Sequence, residues 1–193
     1  MREWLNIDQS PEELNRIYGD NYYHYLSSVA FRAAFYWPIG EIVNEFKHNV
    51  LDVGCGEGQL SLCCLVEYLG IDGSEKAIEK ARQFEDSATR FRVARFEDYR
   101  NDGAEFGIIV FGGIMEVLVK PQFRVPLMEQ YLARFRPQHF IVYDLERLDT
   151  TQIDARFRKI KELHRSAVLD GIEEVKKHRK ILVYETGYAR DND

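Results

Sequence analysis

The chain has 193 residues, 45% of them hydrophobic and 30% charged, with 12 Phe and 11 Tyr. That is the length of one domain and the composition of a soluble globular core, which argues against long disorder, a collagen-like repeat or a disulfide scaffold. The 26 basic and 32 acidic side chains leave a net charge of −6, which disfavours general attraction to phosphate backbones or anionic membranes.

No stretch approaches the roughly 20 apolar residues of a membrane-spanning helix. Arg2, Glu3, Asp8, Glu12 and Glu13 stand where a signal peptide has its apolar core, so a cytoplasmic protein is expected. Ser10, Pro11, Glu12 and Glu13 read as N-cap, first-turn proline and capping-box Glu, and predict a short helix to about Tyr18. Gly19, Asp20 and Asn21 break it. Tyr22, Tyr23, His24 and Tyr25 then lead into an amphipathic stretch over 28–46, which Pro38 is expected to divide or kink. Residues 1–48 thus read as a helical extension without strand signal, and 49–193 as the core of a single domain.

From Val50 the pattern changes to short apolar runs separated by helical segments, as in a mostly parallel sheet covered on both faces. Strands are predicted over 50–53, 68–71, 92–94, 106–111 and 140–144, and helices over 74–84 and 125–134. Only 59–66 is available for a helix between the first two strands. Beyond the fifth strand the sequence predicts a helix over 152–164, an ambiguous part over 167–177 and a last apolar run over 181–184. Between 156 and 180 nine Lys or Arg outnumber the acids, read as a solvated helix face with contact to a substrate phosphate as the sharper alternative. Cys55, Cys63 and Cys64 are an odd, closely spaced set with no second CxxC or HxxxH element, and read as packed thiols.

The most informative string is Val50-Leu51-Asp52-Val53-Gly54-Cys55-Gly56-Glu57-Gly58, an apolar strand running into three alternate glycines. A strand, glycine turn and helix start is the geometry for a nucleotide-like ligand at the carboxyl ends of a parallel sheet. The dinucleotide fingerprint is GxGxxG, whereas this spacing is GxGxG with Glu57 inside the loop, which opposes a nicotinamide or flavin enzyme. A carboxylate there points to a ligand with a cationic or zwitterionic group. The second element, Tyr68-Leu69-Gly70-Ile71-Asp72-Gly73-Ser74, ends a strand in an acid able to accept from both ribose hydroxyls.

Here the sequence resembles the class I S-adenosylmethionine-dependent methyltransferases, in the motifs LDVGCGEGQLS, YLGIDGSEKAIEKA, RFEDY, GIIVFGGIMEVL and FRPQHFIVYDLE, taken in order. The resemblance implies an α/β three-layer sandwich with a seven-stranded, mostly parallel Rossmann-like sheet and an antiparallel final strand. It implies S-adenosylmethionine as cofactor and S-adenosylhomocysteine as product. By that match Gly54, Gly56 and Gly58 pass backbone against the methionine part, Asp52 organises the loop or holds the ammonium, and Asp72 holds the ribose. Arg95 stands where many members carry Asp near the adenine; Glu97 is the replacement acid and the Phe96 backbone serves the ring nitrogen. Cys55, Gly73, Gly112 and, from the extension, Tyr22 complete the expected cofactor wall.

Methyl transfer from a sulfonium needs a positioned nucleophile and a dry site more than strong acid–base machinery. Three residues are expected near the acceptor as base or anchor: Glu116 after the fourth strand, Asp144 past the fifth, and His24 in the aromatic segment, which is read either as a lid over the cofactor or as a helix packed on the sheet by its aromatic residues. Small-RNA terminal methyltransferases of this fold place metal-binding Glu and His after the fourth strand. Val117 stands where the His would follow Glu116, so no metal is expected. The expected reaction is methyl transfer to an oxygen or nitrogen of a small metabolite, a sugar or an amine, with nucleic acid unlikely as acceptor. The alternatives are methylation of RNA or protein through the 156–180 segment, or a silent cofactor-binding partner subunit. Monomer and homodimer both stay open.

Overall fold

A computed structural model describes residues 10–19, 24–100, 103–115, 119–169 and 175–188. Helix α1 (Pro11–Gly19) starts where the capping pattern places it, with the Glu13 N–H donating to Ser10 Oγ at 3.2 Å. A 3-10 turn (His24–Ser27) leads to Ser28, whose Oγ accepts from Phe31 N–H and caps α2 (Val29–Phe31). From α2 the chain passes through a π-helical segment, Arg32–Tyr36, into α3 (Trp37–Phe46). The stretch is thus divided into three helical segments, with Pro38 in the first turn of the last. The wider π turn closes with Trp37 N–H donating to Arg32 O, and sets the proline at the start of a fresh segment, where its missing N–H is tolerated.

The core then alternates strand and helix. In chain order it comprises β1 (Val50–Val53), β2 (Tyr68–Asp72), α4 (Glu75–Ala81), β3 (Thr89–Val93), β4 (Ile108–Gly112) and α5 (Pro121–Phe135). It continues with β5 (His139–Leu145), α6 (Thr151–Arg156), β6 (Arg158–Leu169) and β7 (Val175–Glu185). The strands form one seven-stranded sheet in the order β3-β2-β1-β4-β5-β7-β6, with β7 antiparallel to both neighbours and the other pairs parallel. One face packs Phe111, Phe140 and Tyr184 against Tyr131 and Phe135 of α5, while the other packs Val110, Ile141 and Ile181 against Phe31, Phe35, Ile39 and Val43 of the extension. This is the expected three-layer α/β sandwich.

Two predicted elements differ. The helix expected over 152–164 stops at Arg156, and the chain turns at Phe157 into β6. As an edge strand with one neighbour, β6 carries Arg, Lys, Glu and His rather than an apolar period of two, so its sequence resembles a solvated helix. The segment after β1 forms only a 3-10 turn, Gln59–Cys63, and α3 covers that side of the sheet instead. Asn44 of α3 donates to Cys63 O at 3.0 Å and accepts from Leu65 N–H at 2.7 Å, while a Cβ on Gly40 would lie 2.4 Å from Cys63 O. The extension is thus the missing helical layer of the core. Cys55, Cys63 and Cys64 are half-buried free thiols, and burial pushes Cys63 up to about 11.

Candidate cofactor cleft

A cleft opens at the carboxyl ends of β1, β2 and β4. Leaving β1, the N–H groups of Gly54 and Cys55 both donate to Ile71 O, at 2.9 and 3.0 Å, so the loop wraps the end of β2. The loop glycines have positive φ, and Gly54 and Gly56 line the cleft together with Cys55. Gly58 does not line it. A Cβ there would lie 2.7 Å from the Phe91 ring, so this glycine lets the loop pack against β3 rather than meet a ligand.

Asp72 is buried at the end of β2 and ties the loop: its Oδ2 accepts from Gly56 N–H at 3.0 Å and its Oδ1 from Ser74 N–H at 2.8 Å. Each oxygen retains capacity for a second donor. Burial pushes this carboxyl up to about 6, against the lowering effect of the two N–H groups. Asp52, expected to organise the loop or hold the ammonium, accepts from the Tyr68 hydroxyl through its Oδ2. Burial raises Asp52 to about 7, with Tyr68 opposing and Asp72 adding to the rise. A Cβ on Gly112, which lines the cleft, would lie 3.6 Å from Asp52 Oδ1.

The extension roofs this end. Ser74 Oγ caps α4 by accepting from Ala77 N–H and donates to Asn15 Oδ1 at 3.1 Å, which docks α1 on the start of α4. Tyr18 then lies over Gly56, its Oη 2.9 Å from where a Cβ would stand. Glu57 does not present a bare carboxylate to the ligand, because Lys80 Nζ holds it at 2.7 Å. Lys80 also donates to Tyr18 O at 3.3 Å.

The wall beyond Gly73 is Ala94, Arg95, Phe96 and Glu97. Arg95 Nε pairs with Glu97 Oε1 at 2.6 Å, and the Phe96 carbonyl accepts from the Tyr131 hydroxyl. At the opposite end stand Gly113, Ile114, Tyr36, Tyr143 and Arg179, with Gly113 N–H donating to Tyr143 O at 2.7 Å. Sequence reading missed Tyr18, Tyr36, Tyr143 and Arg179. Tyr18 was findable from the face of α1, whereas Arg179 stands in a charged run, Lys176-Lys177-His178-Arg179-Lys180, that reads as solvated.

The expected acceptor-side residues are placed differently. Asp144 follows Tyr143 on β5 and so alternates to the other face of the sheet; it is buried, accepts from Leu145 N–H at 2.8 Å and does not line the cleft. His24 begins the 3-10 turn, with its side chain outside the described residues, and Tyr22 and Glu116 lie wholly outside them. Among the described residues no group of three His, Cys, Asp or Glu side chains converges on a metal position, and no helix is long and apolar enough to cross a membrane.

Residues 50–138 match a family model described as a methyltransferase domain. A search of the curated proteins finds no sequence match. Among solved structures, the chain is similar to the N-methyltransferase NodS of Bradyrhizobium japonicum WM9 bound to S-adenosylhomocysteine. The TM-score is 0.68 and the identity 14%, over 93% of this chain and 100% of that one. It is similar to 1,6-didemethyltoxoflavin-N1-methyltransferase of Burkholderia thailandensis, with TM-score 0.66 and 13% identity over 91% and 86% of the two chains. It is also similar to PH1948 of Pyrococcus horikoshii, a proposed RNA methyltransferase, with TM-score 0.59 and 11% identity over 78% and 80%. Identities this low speak for the fold and leave the acceptor open. The family model, the strand order and the glycine loop agree: over residues 50–138 the chain matches a methyltransferase domain, on a sheet of the same fold as these methyltransferases.

Proposed function

We propose that the cleft binds S-adenosylmethionine across the ends of β1 and β2 and that the protein methylates an oxygen or nitrogen of a small metabolite, a sugar or an amine. The observation that carries the cofactor assignment is Asp72, whose two oxygens already order the glycine loop and still accept two further donors, as a ribose diol requires. Gly54 and Gly56 offer backbone to the methionine part, Glu97 an acceptor to the adenine amino group, and Asp52 a negative charge to the cationic portion. The bound cofactor supplies an electrophilic methyl on a positively charged sulfur. The chain's own residues orient the acceptor and exclude water, with Tyr18, Leu26 and Tyr36 of the extension closing over the cleft.

A small acceptor is favoured over RNA by the state of the basic segment. Arg156 pairs with Glu129 at 2.5 Å, Arg158 with Glu185, Lys159 with Glu162 at 2.7 Å and Lys161 with Glu45 at 3.9 Å. These cations sit among acids, which lowers the positive field a phosphate backbone would need.

Calorimetric titration with S-adenosylhomocysteine beside NAD tests the cofactor. Micromolar binding of the first and none of the second is expected, with affinity falling about 100-fold or more in Asp72→Ala from loss of charged hydrogen bonds. Binding of NAD alone, or of neither, overturns the assignment. Turnover on panels of sugars and amines, compared with RNA, tests the acceptor, and methylation of RNA alone would overturn the small-metabolite reading.

A further inference from the structure

We propose that Arg179, with Tyr143 and Tyr36 around it, forms an anion-recognising wall of the acceptor subsite, so that the methyl acceptor carries a carboxylate or phosphate group near its reactive atom. The inference rests on the reading of the cleft as the site of the methyl donor. Arg179 comes from β7 and is 8% exposed, yet its side chain lines the cleft. Its guanidinium carbon lies 5.0 Å from the Tyr143 ring centroid and 5.5 Å from that of Phe31. Among the described residues Nε is buried without a hydrogen-bond partner, and so is the hydroxyl of Tyr143 on the same wall. No acid among the described residues lies within ion-pair distance of Arg179. Asp144, the nearest acid along the neighbouring strand, alternates to the opposite face.

A buried charge is costly unless paired, and stacking on rings replaces only part of its lost hydration. A guanidinium presents a planar fork of N–H donors that matches the two oxygens of a carboxylate or phosphate. The Tyr143 hydroxyl adds one more donor. Two unpartnered polar groups on one wall of a cleft therefore describe what is missing, an oxyanion.

Position assigns that oxyanion to the acceptor. Asp72 and Arg179 belong to β2 and β7, four strand spacings apart in the sheet, or about 19 Å between backbones at about 4.8 Å per spacing. The side chain reaches back so that Nη1 is 3.8 Å from where a Gly113 Cβ would stand, just past β4. A donor with its ribose on Asp72 and its methionine along the loop after β1 approaches β4 from one side. Arg179 borders the same place from the other side, from which a nucleophile in line with the methyl has to arrive.

The test uses the full chain saturated with S-adenosylhomocysteine and three probes: benzoate, phenyl phosphate and the neutral benzamide. The wild type is expected to bind one or both anions at least about tenfold better than benzamide, and Arg179→Met to abolish that preference. Arg179→Lys, which keeps the charge and loses the fork, is expected to retain part of it, and Tyr143→Phe to weaken it severalfold. S-adenosylhomocysteine itself should bind Arg179→Met within about twofold of wild type. Absence of any anion preference in the wild type overturns the proposal. It is equally overturned if Arg179→Met weakens S-adenosylhomocysteine while leaving 5′-methylthioadenosine, which lacks the carboxylate, unchanged, because the guanidinium then holds the cofactor. If Arg179→Met does not fold, Arg179→Lys and Tyr143→Phe carry the same comparison. If the wild type binds no S-adenosylhomocysteine, the cofactor reading fails separately, and the anion preference is read on the unliganded chain.

Discussion

The two ends of the cleft are built on opposite terms. At the donor end Asp72 is held by two backbone N–H groups, Asp52 by Tyr68 and Glu57 by Lys80, so the loop is ordered before any ligand arrives. At the proposed acceptor end the Arg179 Nε and the Tyr143 hydroxyl are buried without partners among the described residues. Satisfied groups fix a geometry in advance, whereas unsatisfied ones gain their bonds only when the correct ligand supplies them. On the proposed reading, the contrast separates residues that build the cofactor site from residues that select what is methylated.

The sharpest way to break it is through glycines that differ in what surrounds them. Gly58 has φ +76°, and an added Cβ would meet the Phe91 ring at 2.7 Å and the Ala81 Cβ at 3.0 Å. Gly58→Ala is expected to destabilise the fold by about 2–4 kcal/mol, read by urea unfolding, from backbone strain and overpacking together. Gly112 lines the cleft and has space, its nearest neighbour being Asp52 Oδ1 at 3.6 Å. Gly112→Ala should change stability by less than about 1 kcal/mol while weakening S-adenosylhomocysteine binding. Equal effects of the two variants on stability would remove the distinction between a glycine that packs the loop and one that faces ligand.

A second, smaller effect comes from the buried acids. Unfolded, both carboxyls ionise near 3.8; folded, Asp72 keeps its proton to about 6 and Asp52 to about 7. The folded state binds more protons between those values, so stability falls as pH rises from about 4 to about 7 and then levels. Ligand binding runs the other way. A ribose diol donates to an ionised Asp72, so affinity for S-adenosylhomocysteine should rise as pH increases through about 6, and Asp72→Asn should flatten the profile. Tyr68→Phe removes the bond that opposes the rise of Asp52, costs about 1–3 kcal/mol at neutral pH and moves the upper edge of the stability slope to higher pH. A pH-independent melting temperature in the wild type would contradict this account.

How far the sequence displayed all this follows the same division. The donor end was legible because its determinants are local: β1 is a short strand buried on both faces and apolar but for Asp52, the glycines follow it directly, and Asp72 ends β2. Pro38 marked the division of the extension correctly, whereas the π turn that precedes it leaves no mark in the sequence. The long helix expected over 152–164 became edge strand β6, since charges that read as a solvated helix equally suit an exposed sheet edge. Arg179 and Tyr143 were hidden for a different reason. Their meeting is set by pairing of β5 with β7, with Tyr143 opposite Ile181, a contact between segments that no local period encodes.

Lys80 links the roof to the loop through Glu57 and the Tyr18 carbonyl, at 2.7 and 3.3 Å. Its side chain is 39% exposed, so solvent screens much of the pair. Lys80→Met is expected to cost about 0.5–1 kcal/mol and to weaken S-adenosylhomocysteine a few-fold, because an uncompensated Glu57 and a looser α1 both act on the loop. Calorimetry reads both consequences, and unchanged affinity would mean that α1 does not contribute to the closed form of the cleft.

The smallest expected effect lies on the exposed cations of β6, and it is informative because those residues share a charge with Arg179 and nothing else. Arg158 pairs with Glu185 in the open, the two side chains 72% and 36% exposed, while Lys161 and Arg165 are also solvent-facing. Such pairs contribute about 0–1 kcal/mol, with side-chain entropy and salt taking back most of the attraction. Arg158→Ala, Lys161→Ala and Arg165→Ala together should therefore leave unfolding within about 1 kcal/mol of wild type, and S-adenosylhomocysteine binding and turnover of a small acceptor unchanged. If turnover drops in the triple variant, and the loss deepens with added salt, then the hairpin itself touches the acceptor. The small-acceptor reading would then give way to one in which a polyanion lies along β6.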